Sequence, residues 1–220
     1  LNRLTTLTIA ALAMTVFAGC ADDPPSAVVG IDVLGCDPGL THGSGVVVDD
    51  GIVLTSAHTL RGARQITVTS GDRSAEATIV AFDPDLDLAY LRADLGPSIH
   101  PMPVDSSAVE RGTAATAWTV RDGEVVASDV TIQRRIRLNT EDIYVDADTT
   151  RPGLELAAVI APGDSGGPVA VGGDVGGVLW ARSTRTPGVA YAIDPDRGRE
   201  RIDTQLATGE LGDVDLARCR

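Results

Sequence analysis

The stretch Pro162-Gly163-Asp164-Ser165-Gly166-Gly167-Pro168 is the part of this sequence best suited to covalent chemistry. Glycines on both sides of a serine permit a tight turn that exposes the hydroxyl and lets a carbonyl group approach the backbone. A serine nucleophile needs an imidazole within hydrogen-bond reach to take its proton. It also needs a carboxylate to hold that imidazole in the correct tautomer, and N–H donors for the developing oxyanion. The amides of Gly163 and Ser165 can converge on one point and are the candidate donors. A glycine-rich surface turn is the plainer reading, and the length of the string argues against it.

The histidines are His42, His58 and His100. His58 follows the apolar run ending at Leu54 through Thr55-Ser56-Ala57, a small-residue setting in which a short turn can present the ring. His100 sits among prolines and reads as solvated. Asp83, Asp85 and Asp87 crowd one segment. Asp87 leads straight into the apolar Leu88-Ala89-Tyr90-Leu91, so it is the one expected to be buried at a strand start, where an imidazole N–H is a suitable partner. Asp83 and Asp85 are expected to lie in a solvated turn.

The elements that must carry these residues read as strands. Val28–Leu34, Val46–Val48, Ile52–Leu54, Gln65–Thr69, Ala75–Ala81 and Leu88–Arg92 are short apolar runs parted by turns such as Asp49-Asp50-Gly51 and Ser70-Gly71-Asp72. Gly96, Pro97, Pro101 and Pro103 then interrupt regular pairing and mark a connector. A second series covers Thr113–Val120, Glu124–Arg137, Ile143–Ala147, Leu154–Ile160, Pro168–Val171, Gly176–Arg182 and Val189–Ile193, with Asp122-Gly123 as a hairpin turn. Asp196–Leu206 reads as a short helix. Two runs of strands imply an all-β fold of two packed barrels, about 28–100 and 112–195, followed by a helix and tail over 196–220.

A chain of 220 residues fits one domain or two small lobes. Aromatics are only 3%, so the core must rest on Val, Leu, Ile and Ala. The net charge of −13 argues against nucleic-acid binding, which needs a basic face. Nucleotide and flavin motifs and His-Glu-x-x-His are absent from the sequence, so neither cofactor nor metal is expected.

Residues 1–20 read as an export signal: Arg3, an apolar stretch from Leu4 to Phe17, then Ala18-Gly19-Cys20. The small pair before Cys20 resembles a bacterial lipobox, in which the thiol is acylated, although Phe17 stands where Leu is usual. Residues 21–27 form a polar tether, and the remaining pair, Cys36 and Cys219, reads as a disulfide in an exported chain.

Thr55-Ser56-Ala57-His58, Asp87-Leu88-Ala89-Tyr90-Leu91 and Gly163–Pro168 together resemble the three signature blocks of the trypsin-like, chymotrypsin-fold serine proteases, in that family's order. His42-Gly43-Ser44-Gly45-Val46 is similar to the strand before the histidine in bacterial members. Gly177-Val178-Leu179-Trp180 and Pro187-Gly188-Val189 resemble the family's substrate-binding wall. The likeness runs from about Val28 to Ile202 and is greatest to the membrane-associated bacterial type, in which two cysteines near the domain ends also pair. It implies two six-stranded antiparallel barrels over 28–220 with the active site between them, and a triad of His58, Asp87 and Ser165. It also implies an oxyanion hole of Gly163 and Ser165. Val159 takes the place at the base of the specificity pocket, where a carboxylate is absent, and Leu179, Trp180, Ala181 and Gly188 line it. With Ala181 narrowing the site, small or medium apolar P1 side chains are expected. The implied role is an exported serine endopeptidase, held at the outer face of the membrane by Cys20 or secreted, acting as a monomer on peptide or protein substrates. The rival role is a catalytically inert lipoprotein that keeps the fold for binding or sensing. Val28-Val29-Gly30-Ile31 has only a faint likeness to a zymogen-derived N-terminus, so Asp164 is expected to have a local partner.

Overall fold

The computed structural model describes residues 25–36 and 38–219; the expected export signal and Cys20 lie outside the described residues. The first lobe contains β1 (Val28–Leu34), β2 (Leu40–Asp49), β3 (Ile52–Thr55), β4 (Gln65–Ser70), β5 (Arg73–Glu76), β6 (Thr78–Asp83) and β7 (Leu88–Arg92). These pair antiparallel in the order β5-β4-β1-β2-β3-β7-β6. The two edge strands, β5 and β6, are separated in sequence by Ala77 alone, whose N–H donates to the Ile66 carbonyl at 2.9 Å. The chain itself therefore curls the sheet shut. β5 and β6 act as one bent strand, and the lobe is in effect the six-stranded barrel that was expected.

The second lobe contains β8 (Ala114–Arg121), β9 (Glu124–Glu141), β10 (Asp148–Ala157), β11 (Pro168–Val171), β12 (Asp174–Arg182) and β13 (Val189–Ile193). They close a six-stranded barrel in the order β10-β13-β12-β11-β8-β9. Branched aliphatics fill both interiors: Ile31, Val46, Leu54, Val68 and Leu91 in the first, Ile132, Leu154, Leu156 and Val169 in the second. This suits the pleated, half-buried surface of a strand, where β-branched residues pack well. The core of the first lobe continues into Val175, Val178 and Ile193 of the second, so the lobes share one apolar seam.

Ile143–Ala147 is not the strand it was expected to be. The Asp142 carboxylate accepts the N–H groups of Tyr144 (2.8 Å) and Asp146 (3.1 Å), and the Asp142 N–H donates to the Ala147 carbonyl, which folds the segment into the loop between β9 and β10. Side-chain acceptance of local N–H groups competes with a ladder, and here it wins. Ile143 and Tyr144 are instead buried against the first lobe.

The helix α1 spans Glu200–Thr208 and ends on Gly209 in the left-handed conformation at φ 74°. It docks by Ile202 and by Gln205, whose amide oxygen accepts the Phe82 N–H (2.7 Å) and whose amide nitrogen donates to the Phe82 carbonyl (3.2 Å). The tail beyond it carries Cys219 back to Cys36, forming the expected disulfide across a separation of 183 residues.

Candidate active site

β3 ends at Thr55 and the chain turns at once into a single 3₁₀ turn, Ala57–Leu60, which places His58 at the seam between lobes. Asp87 comes from the turn between β6 and β7. That turn is shaped by Asp83, whose carboxylate accepts the N–H groups of Asp85 (2.9 Å) and Leu86 (3.0 Å), while the Asp87 N–H donates to the Asp83 carbonyl. Asp87 itself is left-handed at φ 62°, a conformation aspartate tolerates. Asp83 is buried, not solvated as expected. Burial raises its carboxyl above the usual value, against the opposing pull of the Leu86 N–H, Arg201 and the Asp85 N–H.

His58 and Asp87 meet closely. The His58 N–H donates to Asp87 Oδ1 at 2.7 Å, and ring Nδ1 lies 3.0 Å from Oδ2 and 3.2 Å from Oδ1. Burial by itself would raise the Asp87 carboxyl. The charge of His58, the hydrogen bond from its ring, the charge of Arg151 and the His58 N–H together outweigh that and hold it below the ordinary carboxylate value. A buried, ionised carboxylate against Nδ1 fixes the tautomer that leaves Nε2 free to take a proton.

Ser165 lies on the loop between β10 and β11, which is tied to both lobes. The Ser44 N–H of β2 donates to the Ser165 carbonyl (2.8 Å) and Ser44 Oγ donates to the Gly163 carbonyl (3.1 Å). The Gly166 N–H donates to the Leu179 carbonyl and the Leu179 N–H to the Gly167 carbonyl, both at 2.8 Å. Gly166, at φ 87°, sits so tightly that a Cβ there would come within 2.1 Å of the Ser44 carbonyl oxygen. Among the described residues the N–H groups of Gly163 and Ser165 find no acceptor. These are the two donors expected to meet an oxyanion. Ser165 Oγ donates to the Trp180 carbonyl at 3.4 Å and is not hydrogen-bonded to His58.

Asp164 has the local partner expected of it. Its fully buried carboxylate accepts Nε and Nη2 of Arg121 at 2.8 and 2.6 Å and the Ala161 N–H at 2.6 Å. Val28–Ile31 lies within β1, paired to β2 and β4, and so takes no part in that contact.

The residues expected to line the specificity pocket differ in exposure. Leu179 is buried in the second barrel, Ala181 is half-buried on β12, and Gly188 is exposed, its carbonyl accepting the Ala158 N–H at 2.9 Å. Val159 is 79% exposed and so forms no floor of an enclosed pocket. Its neighbours Ala158 and Ile160 turn inward, leaving it on the outer face of the loop. Trp180 does reach the site, but its indole N–H donates to Asp87 Oδ2 at 2.8 Å. Sequence reasoning also missed Arg121, Arg151 and Ser44. Each meets the site only through chain separations of 43 residues or more, as for Arg121 and Asp164; Arg121 and Arg151 carry no local motif, and Ser44 stood in the His42–Val46 block without a role assigned to it.

A trypsin-like peptidase domain profile matches residues 43–178. The chain is 35% identical over 144 residues to the serine protease Rv3671c of Mycobacterium tuberculosis, a match over 63% of this chain and 36% of that protein. It is 34% identical over 188 residues to the mitochondrial serine protease HTRA2 of Bos taurus, over 79% of this chain and 40% of that one. The crystal structure of the active form of the Rv3671c protease superposes with a TM-score of 0.78 at 28% identity, covering 89% of this chain and 86% of that one. The chain thus spans less than half the length of the curated relatives it matches. With two antiparallel barrels, and with the family profile spanning the segments that carry His58, Asp87 and Ser165, this chain belongs to the trypsin-like peptidase family.

Proposed function

We propose that this chain is a serine endopeptidase that hydrolyses peptide bonds through an acyl-enzyme. The observation that carries the reading is the buried Asp87 carboxylate 3.0 Å from His58 Nδ1, at the seam where the Ser165 turn also lies. Ser165 Oγ attacks the scissile carbonyl while His58 Nε2 takes the hydroxyl proton. The carbonyl oxygen becomes an oxyanion in the cradle of the Gly163 and Ser165 N–H groups. The C–N bond then breaks, with His58 returning the proton to the leaving amine. Water, deprotonated by His58, attacks the acyl ester and frees Ser165.

The finer parts of the reading are a preference for small or medium apolar P1 residues, export, and attachment to the membrane through Cys20. The periplasmic DegP-like endoprotease of Pseudomonas fluorescens, 32% identical over 178 residues, supports export. The test is a broad peptide library incubated with the purified chain and with Ser165→Ala. Cleavage by the wild type alone is expected, after apolar residues. If neither cleaves and a fluorophosphonate leaves Ser165 unlabelled, the inert binding lipoprotein takes the place of the enzyme.

A further inference from the structure

The Asp87 carboxylate has neighbours that the three-residue scheme does not use. Trp180 donates its indole N–H to Oδ2 at 2.8 Å, on the oxygen that also faces His58 Nδ1. Arg151 of β10 is buried to 2% exposure, with Nη1 3.9 Å from the same Oδ2, too long for a hydrogen bond and close enough for strong attraction. Three of its contacts are to carbonyl oxygens: Nε to Asp85 (2.6 Å), Nη2 to Glu141 (3.0 Å) and Nη2 to Pro84 (3.3 Å). Its guanidinium also lies over the Trp180 ring, 5.2 Å from the centroid. The charge is therefore rigidly placed, and it and the indole N–H both face Asp87 Oδ2.

We propose that Arg151 and the indole N–H of Trp180 are positioning residues of the triad: they lock the Asp87 carboxylate toward His58, and Arg151 sets how strongly Asp87 attracts the imidazolium. This rests on the endopeptidase reading above. His58 holds Oδ1 through its backbone N–H and Oδ2 through its ring, and the indole N–H adds a donor on Oδ2 from the second lobe, which keeps that oxygen in place independently of the ring. A guanidinium fixed beside the carboxylate also shares its negative charge, so less of it favours the protonated ring. The charged groups that act on Arg151 besides Asp87 are Asp142 of the β9–β10 loop and Asp85 and Asp83 of the β6–β7 turn, the latter two paired with Arg201 of α1. Because the Trp180 carbonyl accepts from Ser165 Oγ, one residue of β12 touches both ends of the triad.

The experiment compares Trp180→Phe, Arg151→Gln and Arg151→Lys with the wild type, using a peptide that the wild type cleaves and thermal unfolding as the fold control. Trp180→Phe keeps the ring and loses the N–H; kcat is expected to fall about 10- to 100-fold, as for loss of a hydrogen bond to a charged group, with KM within about threefold. A residue that merely walls the substrate site would raise KM instead. Arg151→Gln is expected to move the acidic limb of kcat/KM upward by about half to one pH unit, since the full charge of Asp87 then favours imidazolium; Arg151→Lys is expected to restore it. If Arg151→Gln does not fold, Trp180→Phe and Arg151→Lys decide. Unchanged kcat in a folded Trp180→Phe together with an unmoved acidic limb in Arg151→Gln overturns this inference alone. A wild type that cleaves nothing and takes no fluorophosphonate overturns the endopeptidase reading beneath it.

Discussion

Arg121 of β8 closes on Asp164 with two parallel hydrogen bonds of 2.8 and 2.6 Å, and the carboxylate it holds belongs to the residue directly before Ser165. The same carboxylate takes the Ala161 N–H, so one ion pair braces the loop from Ala161 to Ser165. A bidentate arginine fixes geometry as well as charge. Arg121→Gln leaves a buried carboxylate without its cation, and Arg121 is itself about a third exposed, so a cost of about 1.5–3 kcal/mol is expected. Urea unfolding checks that figure. The rate of fluorophosphonate labelling checks the loop and is expected to fall at least tenfold.

Two glycines in that loop separate steric from conformational cost. Gly166 and Gly163 both have positive φ, 87° and 94°, but a Cβ on Gly166 meets the Ser44 carbonyl oxygen at 2.1 Å and Thr55 Oγ1 at 2.2 Å, whereas Gly163 has open space. Gly166→Ala must displace Ser165 or the first lobe, so both thermal stability and labelling of Ser165 are expected to collapse. Gly163→Ala bears only the left-handed strain, about 1–2 kcal/mol, and is expected to fold. Equal loss of stability in both variants would refute the steric account.

The buried carboxylates give the pH dependence of stability a definite sign. Asp87 is held below its unfolded value, so its ionisation stabilises the fold fully above about pH 4 and the gain is lost as pH falls through the folded value. Asp83 is raised, so it favours the fold at low pH and loses that contribution as pH climbs through its folded value. Asp83→Asn keeps an oxygen for the Asp85 and Leu86 amides without burying a charge. It is expected to be no less stable than the wild type at pH 7 and relatively less stable near pH 4, as read from urea midpoints at both pH values. Greater destabilisation at pH 7 would mean that the Arg201 contact at 3.6 Å outweighs burial.

Gly62 is the residue that makes room for the disulfide. It follows the His58 turn at φ 58°, and a Cβ there would lie 1.9 Å from Cys36 Sγ and 2.9 Å from Cys219 Sγ. Gly62→Ala is expected to leave both thiols open to alkylation in the folded protein. Replacing Cys36 and Cys219 by serine is expected to cost up to about 5 kcal/mol, the loop-closure value for so long a separation. Denaturant midpoints with and without reductant test it, and identical midpoints would show that the cross-link contributes nothing.

What the sequence by itself determined is local. Ser165 between glycines and Asp87 ahead of an apolar run are suggested by neighbouring residues, and grouping them with His58 came from the resemblance of three ordered blocks to the trypsin-like family. Short apolar runs parted by turn residues likewise predicted both series of strands. Ile143–Ala147 misled because its apolar composition suits a strand, while Asp142 next to it captures the amides and makes a loop. The tertiary structure alone decided which charges face which. Arg121 meets Asp164, Arg151 and Trp180 meet Asp87, and Ser44 ties the Ser165 turn to the first lobe only because two closed barrels bring distant strands to one seam. Burial there converts ordinary surface residue types into partners, since a carboxylate withdrawn from water must find its hydrogen bonds within the protein. Val159 is the converse case: its place in the string suggested a pocket floor, and the inward turn of its two neighbours put it in solvent.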